Sequence, residues 1–310
     1  MSKSKIVFVN RIDNTNTGDI WSSPLLYYSS YFKNFNISRQ DIDTVDAKKI
    51  LSSDIVIIGG GGLFNAFDKW NKNVNAILET GAEVIVWGIG YNSHYDFEKA
   101  QEHINTNNFK LLTIRDFNHP TKLDWLPCVS CAHPNLSKQK KVNRKFAIIE
   151  HKNYKIEDRI FENFERITNS HSIEVITDFI ATSEIIITNT YHITYWAQLM
   201  QKKVIVVGGF SSKFEYFKYK PIFYSGDLEK DISSSKIISN ALSEAQNLNR
   251  SFFNKVQEII NNRVDLKAKR STRVTNQMKL YMWKNETSLR KYIKLIKKLF
   301  PNLHRDTLKW

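Results

Sequence analysis

Short apolar runs that stop abruptly at glycines or polar residues, each followed by a stretch of helical spacing, restrict this chain more than any other feature. Residues 5–9 form the first run and lead into a polar loop, 10–19. Residues 54–58 end in four glycines, 59–62; residues 84–87 end at Gly88-Ile89-Gly90; residues 111–114 end at Arg115-Asp116. Between them, 24–32 reads as a helix with Pro24 in its first turn, and 65–79 as a helix capped by Gly81. Strand, turn, helix, strand is the pattern of a parallel sheet covered by helices.

The alternation pauses at 133–144, a polar and basic stretch that reads as a linker, and then restarts. Strands are expected at 146–150, 173–176, 183–188 and 204–207, and helices at 156–170, 178–182 and 192–200. Residues 231–263 read as one or two long closing helices. The expected fold class is therefore α/β, with two Rossmann-like domains at 1–135 and 145–262 and a basic helical tail at 263–310. Ligands of such sheets lie outside the carboxyl ends of the strands, where the Gly-rich turns also fall.

The charge is uneven. The chain of 310 residues carries a formal +14, and residues 263–310 hold 14 Lys+Arg against 3 Asp+Glu, a net of +11, which leaves +3 for the rest. Within the tail, Leu289, Tyr292, Ile293, Ile296, Leu299 and Phe300 recur at helical spacing among lysines, with Trp283 and Trp310 flanking. A basic amphipathic helix of this kind either lies on an anionic membrane surface or docks its apolar stripe on the body. The nearly neutral body and the lack of a nucleic-acid motif argue against nucleic acid. The first residues lead into only four apolar positions, no apolar run is long enough to span a bilayer, and two cysteines make no disulfide framework. A cytoplasmic protein, peripheral on the inner face of the membrane, is expected.

Several constellations have the right chemistry for a site. Gly60, Gly61 and Gly62, with Gly59, would expose consecutive N–H groups to an anion at a helix entrance, or simply allow a tight crossing. No GxGxxG fingerprint is present. The loop holding Asp13, Asn16 and Asp19 offers carboxylates and amides to sugar hydroxyls, or supplies turn and cap chemistry. His192, opening a helix after a strand, is placed for acid–base work, although a helix N-terminus disfavours its protonated form unless an anion is near. Arg115 can hold a phosphate or carboxylate in a bidentate manner, or pair with Asp116. Cys128 and Cys131, with His119 and His133 nearby, lack the second CxxC of a zinc site; packing or a substrate loop is the expected role, and no metal is expected.

The ordered set 16–19 (Asn-Thr-Gly-Asp), 54–64 (ending Gly-Gly-Gly-Gly-Leu-Phe), 87–90 (Trp-Gly-Ile-Gly), 114–116, 126–128 and 187–197 resembles the polysaccharide pyruvyl transferase family over residues 5–210. The resemblance implies a GT-B-like pair of domains. It also implies transfer of the enolpyruvyl-derived group of phosphoenolpyruvate to two hydroxyls of a saccharide carried on a nucleotide or polyprenyl diphosphate, with no tightly bound cofactor. It makes His192 the acid and Arg115 a donor-binding arginine. Asp19 and Asp13 join the catalytic set; Gly60, Gly61, Gly62, Thr190 and Lys213 the donor side; Asn16, Asn65, Tyr91 and Cys128 the acceptor side. The family carries an arginine two residues before the histidine, where Thr190 stands here, so Lys202, Lys203 or Lys213 must supply that charge. A glycosyltransferase of the same fold, with residues 208–213 cradling a nucleotide sugar, is the alternative. A non-catalytic membrane-associated binding protein is the third reading.

Overall fold

The computed structural model describes residues 4–12, 15–93, 102–209 and 211–285. Two sheets, every pairing parallel, organise them. The first contains β1 (Ile6–Asn10), β2 (Ile37–Asp41), β3 (Ile55–Ile58), β4 (Gly61–Phe64), β5 (Glu83–Tyr91), β6 (Leu111–Ile114) and β7 (Asp124–Trp125), in the order β2-β1-β3-β5-β6-β7 with β4 also on β5. The second contains β8 (Arg144–Glu150), β9 (Arg166–Thr168), β10 (Ser183–Thr188), β11 (Lys203–Val206) and β12 (Ile222–Phe223), in the order β12-β11-β10-β8-β9.

Alternation along the strands decides which helix covers which face. In the first sheet, Val7, Val9, Val56, Ile58, Val84 and Val86 share a core with Trp70, Val74 and Ile77 of α4 (Asp68–Leu78). The intervening Ile6, Phe8, Ile55, Ile57, Ile85 and Trp87 face the other way. Their partners are Leu25 of α2 (Pro24–Tyr27), Phe32 of α3 (Ser29–Phe32), Phe252, Val256 and Ile260 of α8 (Ala241–Asn261), and Leu280 of α9 (Arg270–Lys284). The second sheet repeats the scheme. Ala147, Ile149, Ile186, Val204 and Val206 pack on α5 (Ile173–Ala181) and α6 (Tyr191–Leu199). Ile148, Ile185, Ile187 and Ile205 pack on Phe161 and on Leu228 of α7 (Leu228–Ser234). Period-2 strands with both faces buried are what a parallel sheet between helices requires.

Helix α8 is shared. Its first turns put Ala241 and Ala245 in the second sheet's core, and its later turns join the first sheet. Asn249 stands at the crossover, accepting from Trp87 Nε1 (2.8 Å) and donating to Pro127 O (3.0 Å). Residues 128–136 also pack toward the second sheet, through Cys128, Cys131 and Leu136. The expected linker is therefore partly buried: Asn135 Nδ2 donates to Thr177 Oγ1 of α5.

Local expectations fail where tertiary contacts decide. The expected helix 156–170 is a 3-10 turn, Arg159–Phe161, followed by the edge strand β9; Phe161 is buried and Arg166 pairs with Glu150 of β8. The expected strand 173–176 is the first turn of α5, whose N-cap Ser172 accepts from Val175 N. The helix expected at 24–32 divides at Tyr28 into the single turns α2 and α3. The glycine quartet does not open a helix. Gly59 N donates to Val9 O, Gly60 N donates to Ser22 O, Gly61 begins β4, and α4 starts only at Asp68.

Among the described residues no helix is long and apolar enough to cross a membrane. The described part of the tail lies on the body. Phe35 and Lys267 form an antiparallel bridge, and Asn276 of α9 donates to Lys33 O and Phe35 O. The apolar pattern at 289–300 and Trp310 lie outside the described residues.

Candidate functional site

The carboxyl ends of β1, β5 and β6 face those of β8 and β10 across a cavity of about 270 Å³. The short helix α1 (Thr17–Ile20) reaches across this gap: Thr17 N donates to Asn169 O, just beyond β9. On the opposite flank Ser93 and Ser212 are joined twice, Ser212 N to Ser93 O and Ser93 N to Ser212 Oγ, both at 2.9 Å.

Arg115 follows β6 directly and lies 3% exposed in the cavity wall. Its guanidinium stacks on the Tyr191 ring, 3.7 Å from the centroid, and its Nε and Nη1 have no hydrogen-bond partner among the described residues. The backbone makes room for it: a Cβ on Gly90 would stand 2.4 Å from Arg115 Nε. The neighbouring Asp116 accepts from Tyr91 N at 2.6 Å, and burial raises its pKa to about 7 although Arg115 opposes the shift. The Arg–Asp turn pair weighed from the sequence is thus not a short ion pair.

Lys213 reaches the same cavity from a 3-10 turn, Ser212–Phe214, beyond β11. Burial, reinforced by Arg115, lowers its pKa to about 7, and Asp19 opposes the shift. Arg11 and Lys152 complete the set of cations. Arg11 Nη1 is 3.6 Å from Asp19 Oδ2. Asp19 is raised from the ordinary carboxylate range by burial, against Arg11 and Arg115.

His192 occupies the first turn of α6, whose N-cap is Thr190. It is buried, and burial first, then Arg115 and Lys213, hold its pKa well below the usual imidazole value. Its ring packs on Gly18, and its Nε2 is 3.7 Å from Cys128 Sγ. A guanidinium with two unpartnered nitrogens, a desolvated lysine and a desolvated histidine thus converge on one partly closed cavity.

Of the residues chosen from the sequence, His192, Asp19, Arg115, Gly62, Thr190, Lys213 and Asn16 line this cavity. Gly61 sits beside Asp19, where its Cβ would be 3.8 Å from Oδ1. Gly60 is packed between Gly88, Ser22 and Cys128, away from the lining. Asn65 faces Asn71 through two hydrogen bonds, and Tyr91 stacks on His119 at 4.4 Å. Neither lines the cavity. Cys128 is buried behind His192, and both cysteines are free thiols. Asp13 lies outside the described residues. Of the other lysines weighed, Lys202 and Lys203 donate to Ala181 O and Ile232 O, away from the cleft. Among the described residues no group of three or more His, Cys, Asp or Glu is placed to hold a metal. Sequence reasoning missed Arg11, Lys152 and the aromatic wall of Phe67 and Trp70. Arg11 and Lys152 lie one and two residues past the ends of β1 and β8, the positions where site residues of parallel sheets fall.

No protein-family model and no curated protein matches this chain. Among solved structures it is similar to a protein of Klebsiella pneumoniae described as functional and uncharacterized, with 14% identity over 72% of this chain and 93% of that one and a TM-score of 0.45.

Proposed function

We propose that this chain is a transferase of the GT-B kind, with two Rossmann-like units, that uses the cleft to move the enolpyruvyl-derived group of phosphoenolpyruvate onto a saccharide. The observation that carries the reading is Arg115: a buried guanidinium with two N–H-bearing nitrogens unpartnered, beside Lys213 and across from Arg11 and Lys152. A small donor with a phosphate and a carboxylate matches that arrangement of cations. Thr190 stands where the family resemblance puts an arginine, and Arg115 with Lys213 supplies the missing charge.

In this reading His192 is neutral until the donor binds. The donor's negative charge offsets Arg115 and Lys213 and allows the imidazole to take up a proton. His192 then protonates the methylene carbon of the donor, and a saccharide hydroxyl adds to the cationic carbon while Asp19 accepts that hydroxyl's proton. Phosphate leaves, the second hydroxyl adds with loss of its proton, and the product is a pyruvate ketal. Phe67 and Trp70, edge to face at 4.8 Å, offer a surface for the sugar ring. The acceptor is a saccharide on a nucleotide or polyprenyl diphosphate, and the basic tail holds the enzyme against the anionic membrane surface that carries it.

The exposed ring of Phe67, 39% accessible at the cavity wall, suits a nucleobase equally well. The second reading is therefore glycosyl transfer from a nucleotide sugar. Labelled phosphoenolpyruvate, UDP-sugars and CMP-sugars, each incubated separately with protein and a saccharide extract, decide between the two. Consumption of phosphoenolpyruvate, abolished in a folded His192→Ala variant, is expected. Consumption of a nucleotide sugar selects the second reading, and consumption of neither leaves a binding protein.

A further inference from the structure

We propose that a buried relay running from Trp196 through Ser130 to Cys128 holds His192 as its neutral Nδ1–H tautomer, with Nε2 turned to the protein interior and Nδ1 on the edge that packs on Gly18 of the cavity lining. This rests on the reading of His192 as the acid and makes Cys128 a positioning residue that acts through it.

The donors along the chain point in one direction. The Trp196 indole nitrogen can only donate, and it donates to Ser130 Oγ at 3.0 Å. The single hydroxyl proton of Ser130 is then directed at Cys128 Sγ, 3.3 Å away. The thiol's own proton can then point at His192 Nε2, 3.7 Å away. A nitrogen that accepts from a thiol carries no proton, so the ring proton belongs on Nδ1. Trp196, Ser130 and Cys128 are 1% exposed or less, so water does not compete for these bonds. The loop bearing Cys128 is fixed independently by Tyr195, whose hydroxyl donates to Cys128 O at 3.0 Å.

The other edge of the ring meets Gly18, a residue of the cavity lining. Arg115 and Lys213 face the imidazole from the cleft side, and Asp19 adjoins Gly18 there; the Cys128 thiol and Trp196 lie on other sides of the ring. The relay therefore distinguishes the two ring nitrogens. In the free protein Nε2 accepts from the thiol while the Nδ1 proton lies on the edge beside Gly18; the proton taken up when the donor binds goes to Nε2, with Cys128 Sγ as its acceptor. Sequence spacing hides this, since Cys128 and His192 are 64 residues apart and meet only because residues 128–136 pack toward the second sheet.

The test reads the ring nitrogens directly, without substrate. Protein labelled with 15N-histidine is examined by long-range 1H–15N correlation at neutral pH, the His192 signals being those lost in His192→Gln. The wild type is expected to show a protonated Nδ1 and an unprotonated Nε2. Cys128→Ala, with its fold checked by circular dichroism, removes the last donor, and the His192 pattern is expected to move toward the Nε2–H form. Ser130→Ala, which leaves the thiol in place, serves as the milder variant if Cys128→Ala does not fold and is expected to weaken the preference without reversing it. A protonated Nε2 in the wild type overturns the proposal. So does an unchanged pattern in folded Cys128→Ala or, where only that variant folds, in Ser130→Ala. Because the measurement needs no turnover, a failure of pyruvyl transfer would be seen separately, as phosphoenolpyruvate left unconsumed by a wild type with the expected tautomer.

Discussion

Gly18 and His192 touch so closely that a Cβ on residue 18 would lie 2.2 Å from His192 Nδ1 and 2.4 Å from Cγ. The contact joins the first sheet's loop to the first helix after β10, so it both positions the imidazole and closes one side of the cleft. An alanine at 18 must displace a buried ring. Gly18→Ala is expected to cost about 1–3 kcal/mol, the range for overpacking a filled site, and to lower activity by moving His192. In a His192→Ala background the ring atoms are gone but the Cβ of residue 192 would still lie 2.7 Å from the new methyl group, so a reduced penalty is expected to remain. Denaturant titration of the four proteins checks this: the penalty of Gly18→Ala is smaller in the His192→Ala background than in the wild type. An equal penalty in both would show that the backbone of α1, rather than the imidazole, resists the methyl group.

Arg115 is held at a cost to the fold. A guanidinium 3% exposed with two nitrogens unpartnered is a desolvated charge, and its stacking on Tyr191 offsets only part of that. Arg115→Met keeps the bulk and removes the charge. The variant is expected to melt at or above the wild-type temperature while binding phosphoenolpyruvate roughly 100-fold more weakly, the value of two charge-assisted hydrogen bonds. Scanning calorimetry and titration calorimetry read the two effects separately. A large fall in melting temperature would make Arg115 a structural residue.

The position of Lys213 ties donor binding to pH. Its pKa is lowered to about 7 in the free protein, whereas an unfolded chain keeps it near 10.5. The stability contributed by this depressed lysine is complete above 10.5 and is lost as pH falls through the window down to about 7. Binding runs the other way. A bound anion restores the charged form, so above pH 7 each donor bound takes up a proton. Lys213 alone is therefore expected to lower affinity for phosphoenolpyruvate by up to tenfold per pH unit between pH 7 and 9, and a proton taken up by His192 steepens the fall further. Ionisation of Asp116, raised to about 7, adds to the lower part of that trend. Lys213→Met should bind more weakly at pH 7 and remove its own share of the slope, up to tenfold per pH unit. An unaltered slope in that variant would assign the proton to another group.

What the sequence disclosed about the cleft came from one regularity. Arg115 and His192 stand one and four residues past β6 and β10, Asp19 and Lys213 lie in the connections that leave β1 and β11, and parallel strands bring their carboxyl ends to one side. Arg11 and Lys152 obey the same rule and were overlooked because neither belongs to a motif. The elements misjudged were those whose state is set at a distance. Residues 173–176 are β-branched or apolar enough for a strand, yet Ile173, Ile176 and Ile180 are buried at helical spacing against the second sheet. The glycines at 61–62 read as a turn because nothing local announces their pairing with β5. Cys128 looked like a loop thiol, since its partner His192 is brought to it only by tertiary packing.

Helix α9 bears on the membrane question through a stripe that the body does not cover. Val274, Met278 and Tyr281 are 56%, 65% and 72% exposed, at spacings of four and three residues, whereas Asn276 and Leu280 on the inner side are buried. Arg273, Lys279 and Lys284 lie on the same helix, which suits a surface of anionic headgroups over an apolar layer. Truncation at Arg263 is a poor test, because it strips Leu266 and Leu280 from the core of the first sheet and breaks the Arg263–Glu83 pair. Val274→Ser, Met278→Gln and Tyr281→Ser combined should leave the melting temperature nearly unchanged, since these side chains are already in water. Co-sedimentation with vesicles rich in anionic lipid is expected to drop at least tenfold, with little binding to zwitterionic vesicles in either protein. Ending the chain at Asn285 measures the contribution of the last 25 residues in the same assay. Full binding by the triple variant and loss on that truncation would place the attachment in the distal segment and leave the α9 stripe without a lipid role.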